Sequence, residues 1–165
     1  KAGFRFLNVR NQDVPTYVMH GAADLGVVGL DVLEEKEYDL IKLLDLKLGR
    51  CKVAFGLRAG EKLNFDKSKI TIATKHEKIA KKYFEQKAMA VEIIKLYGSI
   101  ELAPLVGLCD CIVDIVETGE TMKQNGLEVG PTIMETTAHL IANKNSFYAK
   151  KDLIFDLKDK LEKFL

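Results

Sequence analysis

Several features that define whole classes of proteins are absent from this sequence. It contains only three cysteines, and the Cys-x-Cys spacing of Cys109 and Cys111 fits neither a zinc knuckle nor a redox-active Cys-x-x-Cys pair. Reduced thiols are typical of cytoplasmic proteins, so the cysteine content favours a cytoplasmic location over a disulfide-stabilised secreted protein. No apolar run is long enough to span a bilayer, and no secretory signal sequence is visible.

An excess of charge of one sign is also missing. The 25 lysine and arginine residues are offset by 24 aspartate and glutamate residues, so the formal net charge is +1. This balance produces no long-range field to attract nucleic acid or an anionic membrane, and binding must therefore depend on local sites. We predict neither a nucleic-acid partner nor a membrane association.

The sequence is rich in short apolar segments that alternate with helical patterns. Hydrophobic residues make up 47% of the 165 residues, which is enough for a buried core in one domain or two small lobes. The alternation predicts an α/β architecture with a parallel sheet. Strands are predicted at 4–9, 24–29, 50–58, 69–75 and 139–144 and in YDLIKLLDL, AVEIIKLYG and DCIVDIV. Helices are predicted in VPTYVMHGAA, LDVLEEKEY, HEKIAKKYFEQK and ELAPLVGLC and over 151–164.

The segment IVDIVETGETMKQNGL, residues 112–127, has the outline of a phosphate-binding turn. A buried strand leads into a turn at Thr118 and Gly119, and a short helix follows that ends at Gly126. Backbone N–H groups at such a turn can bind an anion, a glycine lets phosphate approach, and the hydroxyls of Thr118 and Thr121 add donors. Taken alone, the segment also fits an ordinary strand-turn-helix with a threonine N-cap.

The acidic residues of this segment need a separate explanation, because carboxylates repel phosphate. A carboxylate at the end of a strand is a good acceptor for a pair of ribose hydroxyls, which are also common neighbours of Mg²⁺. We therefore predict that Asp114 accepts the hydroxyls of a ribose 5-phosphate while the turn at 118–121 holds the phosphate. Glu117 and Glu120 can supply backbone amides with their side chains turned outward.

Together with the residues before it, the segment closely resembles the signature of the ATP phosphoribosyltransferase family. The signature combines a glutamate, a glycine, a small residue, an aspartate and a Thr-Gly-x-Thr turn. The matching residues are Glu101, Gly107, Cys109, Asp114, Thr118, Gly119 and Thr121. The resemblance continues through residues 6–35, 49–55, 72–75 and 133–144. Two departures are Cys109, where the family has Gly, Ala or Ser, and Val106, where it often has threonine.

The resemblance implies a fold of two α/β lobes like those of periplasmic binding proteins, with the active site in the cleft between the lobes. We expect residues 1–57 and 137–165 to form one lobe and residues 58–136 the other. The implied reaction joins N1 of the adenine of ATP to phosphoribosyl pyrophosphate and releases pyrophosphate, as the first step of histidine biosynthesis. Mg²⁺ carried by the substrate is the implied cofactor. Because N1 has a lone pair, no strong general base is required.

The same resemblance implies the roles of individual residues. Glu101 and Asp114 are the expected catalytic residues, with Glu101 beside the ribose or the metal. The ribose-phosphate loop consists of Asp114, Ile115, Val116, Glu117, Thr118, Gly119, Glu120 and Thr121. On the nucleotide and pyrophosphate side the candidates are Arg10, Asp31 and Arg50. The residues themselves leave open a solvated Arg10, a helix N-cap at Asp31 and a surface role for Arg50. No metal-ligand set is predicted, because the three histidines lie in different elements.

The two ends of the chain carry further implications of the resemblance. The family's N-terminal strand, with its basic turn, is not among these residues, so a protein that began at Lys1 would lack an edge strand of the first lobe. The C-terminal end resembles the short form of the family. This form implies a regulatory subunit related to histidyl-tRNA synthetase and homodimers within a hetero-octamer. Two alternatives stay open: a phosphoribosyltransferase for another base, and a non-catalytic two-lobe module that binds a small anion.

Overall fold

The computed structural model describes residues 3–64, 67 and 69–165. Its helices are Val14–Met19 (α1), Leu30–Glu35 (α2), Glu77–Gln86 (α3), Glu120–Gln124 (α4), Lys144–Ala149 (α5) and Lys151–Glu162 (α6). Its strands are Leu25–Gly29 (β1), Ile41–Asp45 (β2), Cys51–Arg58 (β3), Ile70–Thr74 (β4), Val91–Lys95 (β5), Cys111–Val116 (β6), Leu127–Thr136 (β7) and Ala138–Ala142 (β8). A single 3₁₀ turn is present at Ile100–Leu102 within the described part of the chain. None of the described helices combines the length and apolar character that a membrane span requires.

Contacts between residues divide the chain into two compact units. One comprises Lys1–Gly49 and Thr137–Leu165, and the other comprises Arg50–Thr136. The first boundary lies earlier than the predicted end of the first lobe at residue 57. The reason is β3, which pairs with β6 and β7 and so belongs wholly to the second unit.

The first unit is built on a three-stranded antiparallel sheet with the order β1-β8-β2. Its core combines residues of α1, β1, α2 and β8: Val18, Val28, Val32, Leu33 and Ile141. The side chain of Asn143 accepts a hydrogen bond from the Ser146 backbone N–H and thereby caps α5. The same side chain donates to the backbone carbonyl of Val18, so it also ties the end of β8 to α1.

The second unit is built on a five-stranded mixed sheet with the order β5-β4-β6-β3-β7. Strands β5, β4 and β6 are parallel to one another, whereas β3 is antiparallel to both β6 and β7. One face of this sheet packs against α3 around Phe55 and Phe84. The other face packs against the 3₁₀ turn and α4 around Ala54, Ile112 and Met122.

Several sequence predictions differ from these elements. The alternating segment 4–9 is not a strand, because alternation alone does not supply a pairing partner, and Phe6 is 88% exposed. No strand is predicted at 127–136, but β7 forms there and pairs with β3, and the chain returns to the first unit directly after β7, at Thr137. The predicted helix ELAPLVGLC is the 3₁₀ turn and a series of further turns, one of them at Gly107 with a φ of +75°. The predicted parallel sheet is mixed.

Candidate active site

The candidate site lies at the end of the second unit's sheet where the middle strand, β6, finishes at Val116. We call this end of the strands the edge of the sheet. The parallel neighbour β4 ends at the same edge, because Thr74 of β4 aligns with Val113 of β6. The antiparallel neighbour β3 begins there, because Lys52 lies opposite Val116. Ligands of α/β proteins bind outside the carboxyl ends of such strands, so this edge is a suitable place for a phosphate-binding turn.

The turn after β6 is held by its own backbone. Gly119 has a φ of +84° and is the N-cap of α4, where a threonine N-cap was the alternative. The Thr118 hydroxyl accepts a hydrogen bond from the Glu120 N–H at 3.3 Å. At the other end of α4, the Asn125 side chain donates to the carbonyl of Thr121 at 2.8 Å. Local hydrogen bonds therefore define the shape of the turn.

The side chains of the predicted loop divide into a packed part and an exposed part. Val116 is buried in the core beside α4, and Ile115 packs against the core on the α3 side of the sheet. In contrast, Glu117, Thr118, Glu120 and Thr121 are at least partly exposed. The two apolar residues thus stabilise the strand, and the exposed side chains of the other residues can contact a ligand at this turn.

Asp114 lies two residues before the end of β6 with a side chain that is 13% exposed. It is opposite Ala54 in the register of β3, so its side chain is on the face that carries the 3₁₀ turn and α4. The carboxylate oxygen Oδ1 accepts a hydrogen bond from the Ile115 N–H at 2.8 Å. The same oxygen lies 3.0 Å from Nζ of Lys75 and 3.7 Å from Nε2 of His76.

Lys75 and His76 reach Asp114 because the end of β4 is fastened to β6. The Thr74 hydroxyl donates to the Val113 carbonyl at 2.6 Å and accepts from the His76 N–H at 2.8 Å. Sequence reasoning did not select Lys75 as a site residue, although it ends the IATK segment of the family resemblance. The available signal was the position of a charged residue directly after β4, since neighbouring parallel strands end at one edge.

Glu101 lies in the 3₁₀ turn and is partly buried. Its neighbours Ile100 and Ala103 are buried against Ile112 and Met122, on the same face of the sheet that carries Asp114. The Arg58 side chain donates to the carbonyl of Pro104 at 3.0 Å and ties this segment to the end of β3. Glu101, Asp114 and the turn thus belong to the same unit, and the 3₁₀ turn packs on the face of the sheet that carries Asp114.

The remaining predicted site residues are distributed over both units. Arg10 is exposed, and its backbone carbonyl accepts hydrogen bonds from Asp13 and Val14 at the start of α1. Asp31 is 4% exposed and is the second residue of α2, whose N-cap is Gly29, so the predicted N-cap at Asp31 is wrong. Arg50 is exposed directly before β3 and belongs to the second unit.

Other ionisable groups of the second unit have pKa values that are shifted by hydrogen bonds or burial within the fold. At the opposite end of β6, hydrogen bonds from Lys67 and from the Thr71 backbone hold the pKa of Asp110 below its usual value. Burial raises the pKa of Cys111 to about 12 and also raises that of Cys109, so both thiols remain protonated at neutral pH. Among the residues that the structure describes, no group of three or more His, Cys, Asp or Glu side chains forms a metal site.

The fold is that of the two-lobe α/β proteins that include periplasmic binding proteins. The substrate-binding protein of an amino acid ABC transporter superposes with a TM-score of 0.57 at 14% identity, over 91% of this chain and 74% of that protein. A more specific similarity comes from the family model described as ATP phosphoribosyltransferase, which matches residues 10–163. The chain belongs to the ATP phosphoribosyltransferase family.

Individual relatives agree with this assignment. The ATP phosphoribosyltransferase of Sulfurovum sp. (strain NBC37-1) is 65% identical over 162 residues, which cover 98% of this chain and 79% of the relative. That of Wolinella succinogenes is 63% identical over 160 residues, covering 97% and 78%. The solved ATP phosphoribosyl transferase (HisG:HisZ) complex from Thermotoga maritima superposes with a TM-score of 0.81 at 39% identity, over 94% of this chain and 76% of that one. The predicted fold class and enzyme class are confirmed.

Proposed function

We propose that Asp114 and the turn at Thr118–Thr121 bind phosphoribosyl pyrophosphate for transfer to N1 of the adenine of ATP. Membership of the family makes the chain an ATP phosphoribosyltransferase, a pentosyltransferase of the first step of histidine biosynthesis. The observation that carries the residue-level proposal is a nearly buried carboxylate on the strand that leads into a turn of accessible donors. The proposal assigns the ribose hydroxyls to Asp114 and the 5-phosphate to the turn.

The chemistry of the transfer fits these roles. As the bond to pyrophosphate breaks, positive charge develops on the ribosyl centre, and a fixed carboxylate nearby lowers the free energy of that state. Asp114 is suited to this task because its Oδ1 accepts the Ile115 N–H, and this hydrogen bond restricts the rotation of the carboxylate. The side chains of Glu117 and Glu120 are exposed and the Glu120 N–H donates to the Thr118 hydroxyl, so the other backbone amides of the turn are proposed to bind the phosphate. Glu101, on the same face of the sheet, is proposed to lie beside the ribose or its metal ion.

Mg²⁺ is the proposed cofactor, and it would neutralise charge on the departing pyrophosphate. Mg²⁺ usually keeps several waters and takes one or two carboxylates together with substrate phosphates. Asp114 and the 3₁₀ turn that contains Glu101 lie on one face of the sheet, which fits an ion that arrives with the substrate. Their role is to orient the ribose and the metal-bound pyrophosphate.

The first unit and the start of β3 are proposed to contribute the nucleotide and pyrophosphate contacts. The guanidinium groups of Arg10 and Arg50 belong to exposed residues, and such groups bind phosphate oxygens in a bidentate manner. Asp31 is proposed to contribute to the same contacts with the nucleotide and the pyrophosphate. We further propose a regulatory subunit related to histidyl-tRNA synthetase, with homodimers inside a hetero-octamer. The Thermotoga maritima relative supports a partner, since its solved structure is a HisG:HisZ complex.

The activity is tested by mixing the full-length protein with ATP, phosphoribosyl pyrophosphate and Mg²⁺, with and without the synthetase-like subunit. We expect absorbance to report the formation of phosphoribosyl-ATP, and no change when phosphoribosyl pyrophosphate is left out. Replacing ATP with other purine and pyrimidine acceptors tests the alternative of a different base. Binding of the donor without product under every condition would instead favour a non-catalytic binding module.

The turn itself is tested by Gly119→Ala with Gly126→Ala as its matched control. Both glycines have a positive φ, +84° and +70°, so each alanine costs about 1–2 kcal/mol of folding stability. Of the two, only Gly119 places the added methyl group against a neighbour, Cγ2 of Val129 at 3.0 Å. We therefore expect Gly119→Ala to weaken the binding of ribose 5-phosphate at least about tenfold, measured by calorimetry. Equal weakening by both variants would show that general strain, and not the turn, is responsible.

A further inference from the structure

The ammonium group of Lys75 contacts the carboxylate that is proposed to hold the ribose hydroxyls. We propose that Lys75 binds the pyrophosphate group of the donor, and that Asp114 holds it in position for this role. The inference rests on the proposed function of Asp114 and adds a donor ligand that the family signature does not contain. It is carried by the 3.0 Å contact between Nζ and Oδ1 and by the surroundings of both side chains.

The backbone at Lys75 is fixed while its charged end is accessible. Thr74 is fully buried and hydrogen-bonded on both sides, so the residue after it is anchored to β6. The side chain of Lys75 is 34% exposed, whereas that of Asp114 is 13% exposed. Lys75 is thus the more exposed partner of the ion pair. An ammonium has three N–H donors, so Lys75 can bind phosphate oxygens and keep its contact with Asp114.

The negative charge near the end of β6 favours a cation of the protein there, in addition to the metal ion. Asp114, Glu117 and Glu120 lie close together in the chain, and the donor carries further negative charge on its phosphate and pyrophosphate groups. Backbone amides at the turn can hold one phosphate, but like charges at short range repel the other. Two lysines flank Asp114 on neighbouring strands, Lys75 after β4 and Lys52 on β3. Of these two, Lys75 is the one that forms an ion pair with the carboxylate.

The chemistry of the donor indicates which of its anionic groups Lys75 binds. If Asp114 accepts the two ribose hydroxyls, the 2-hydroxyl is attached to the carbon next to the one that carries pyrophosphate. A cation bound beside that carboxylate is then close to the pyrophosphate, whereas the 5-phosphate lies at the far end of the sugar in the turn. Lys75 would stabilise the leaving group as its charge increases.

The test compares Lys75→Met, Asp114→Asn and the double variant, with calorimetric titrations of inorganic pyrophosphate and of ribose 5-phosphate in the presence of Mg²⁺. We expect Lys75→Met to weaken pyrophosphate binding about 10- to 100-fold in the wild type. In the Asp114→Asn background, where the lysine has lost the carboxylate that positions it, the same change should have a smaller effect that is still about threefold or more. Binding of ribose 5-phosphate to Lys75→Met should change less than about threefold, because this ligand lacks the pyrophosphate. Lys75→Arg should restore most of the pyrophosphate affinity.

Lys69→Met is the matched control. Lys69 directly precedes β4, and its ammonium forms an ion pair of 2.8 Å with Glu92, so this variant removes a more exposed lysine–carboxylate pair at the other end of the same strand. We expect it to bind both ligands as the wild type does. The inference is wrong if Lys75→Met leaves the affinity for pyrophosphate unchanged or changes it only when Asp114 is present. It is also wrong if the variant weakens the binding of ribose 5-phosphate as much as that of pyrophosphate. Pyrophosphate binding too weak to measure in the wild type would also contradict it.

Steady-state kinetics separate this inference from the proposed function. If the wild type forms no phosphoribosyl-ATP with or without its partner, the proposed function fails. If the wild type is active and Lys75→Met has unchanged kinetic constants for phosphoribosyl pyrophosphate, only the role of Lys75 fails. The expected result is a KM for phosphoribosyl pyrophosphate raised at least about tenfold, a lower kcat and an unchanged KM for ATP.

Discussion

Replacing Asp114 with asparagine is expected to lower kcat/KM for phosphoribosyl pyrophosphate by about 100- to 1000-fold. Asparagine has the same shape, and its side-chain oxygen can still accept the Ile115 N–H bond, so the strand should remain intact. The variant loses the negative charge that stabilises the ribosyl centre and one of the two acceptors for the ribose hydroxyls. It also leaves Lys75 without its carboxylate partner. The measurement is the initial rate of phosphoribosyl-ATP formation at varied donor concentration.

Asp110→Asn provides the control for this effect. Asp110 directly precedes β6 and also forms an ion pair with a lysine, Lys67, at 2.6 Å. It lies at the opposite edge of the sheet, where its carboxylate accepts the Thr71 N–H. We expect Asp110→Asn to retain the wild-type kcat/KM within a factor of about two while losing some thermal stability. A similar loss of activity in both variants would show that removal of any ion pair from this strand is enough, and the assignment of Asp114 would be wrong.

The largest effect on stability is expected from Phe55→Ala in the second unit. Phe55 is fully buried, and its ring makes edge contacts with those of Tyr83 and Phe84 at centroid distances of 5.6 and 5.7 Å. Truncation removes these contacts and leaves a cavity between β3 and α3, at a cost of about 3–5 kcal/mol in the free energy of unfolding. Because β3 also contributes to the edge that carries Asp114, activity should fall at temperatures where this unit begins to unfold.

The measurement is chemical denaturation followed by circular dichroism, with Phe164→Ala as the matched control. Phe164 lies after the end of α6 and is 89% exposed, so its truncation should change the free energy of unfolding by less than about 0.5 kcal/mol. Phe55 belongs to the unit of residues 50–136, so the loss of stability is expected in the unfolding of that unit. Equal shifts of the midpoint in both variants would contradict the assignment of Phe55 to the core.

The match between sequence patterns and structure was closest where the pattern is local. The strand at 111–116, the turn at Gly119 and the short helix after it depend on residues close in the chain, and all three are present. The prediction failed where a segment becomes a strand only if another strand lies beside it. Residues 4–9 alternate like a strand but have no pairing strand among the described residues, whereas 127–136 form one because β3 lies beside them. Alternation reports which side of a segment is apolar, not whether another strand is available.

The sequence by itself determined the family, the α/β class and the turn after β6, because a motif of fixed spacing and the φ preference of glycine are properties of the chain. Only the tertiary structure decided that β3 belongs to the second unit and that its sheet is mixed. It alone brought Lys75 to Asp114, two residues that are far apart in the sequence. The physical reason is that strand pairing and ion pairs between strands depend on which distant segments meet. The surroundings of Asp114 therefore follow from the tertiary structure, which places the ammonium group after β4 beside it.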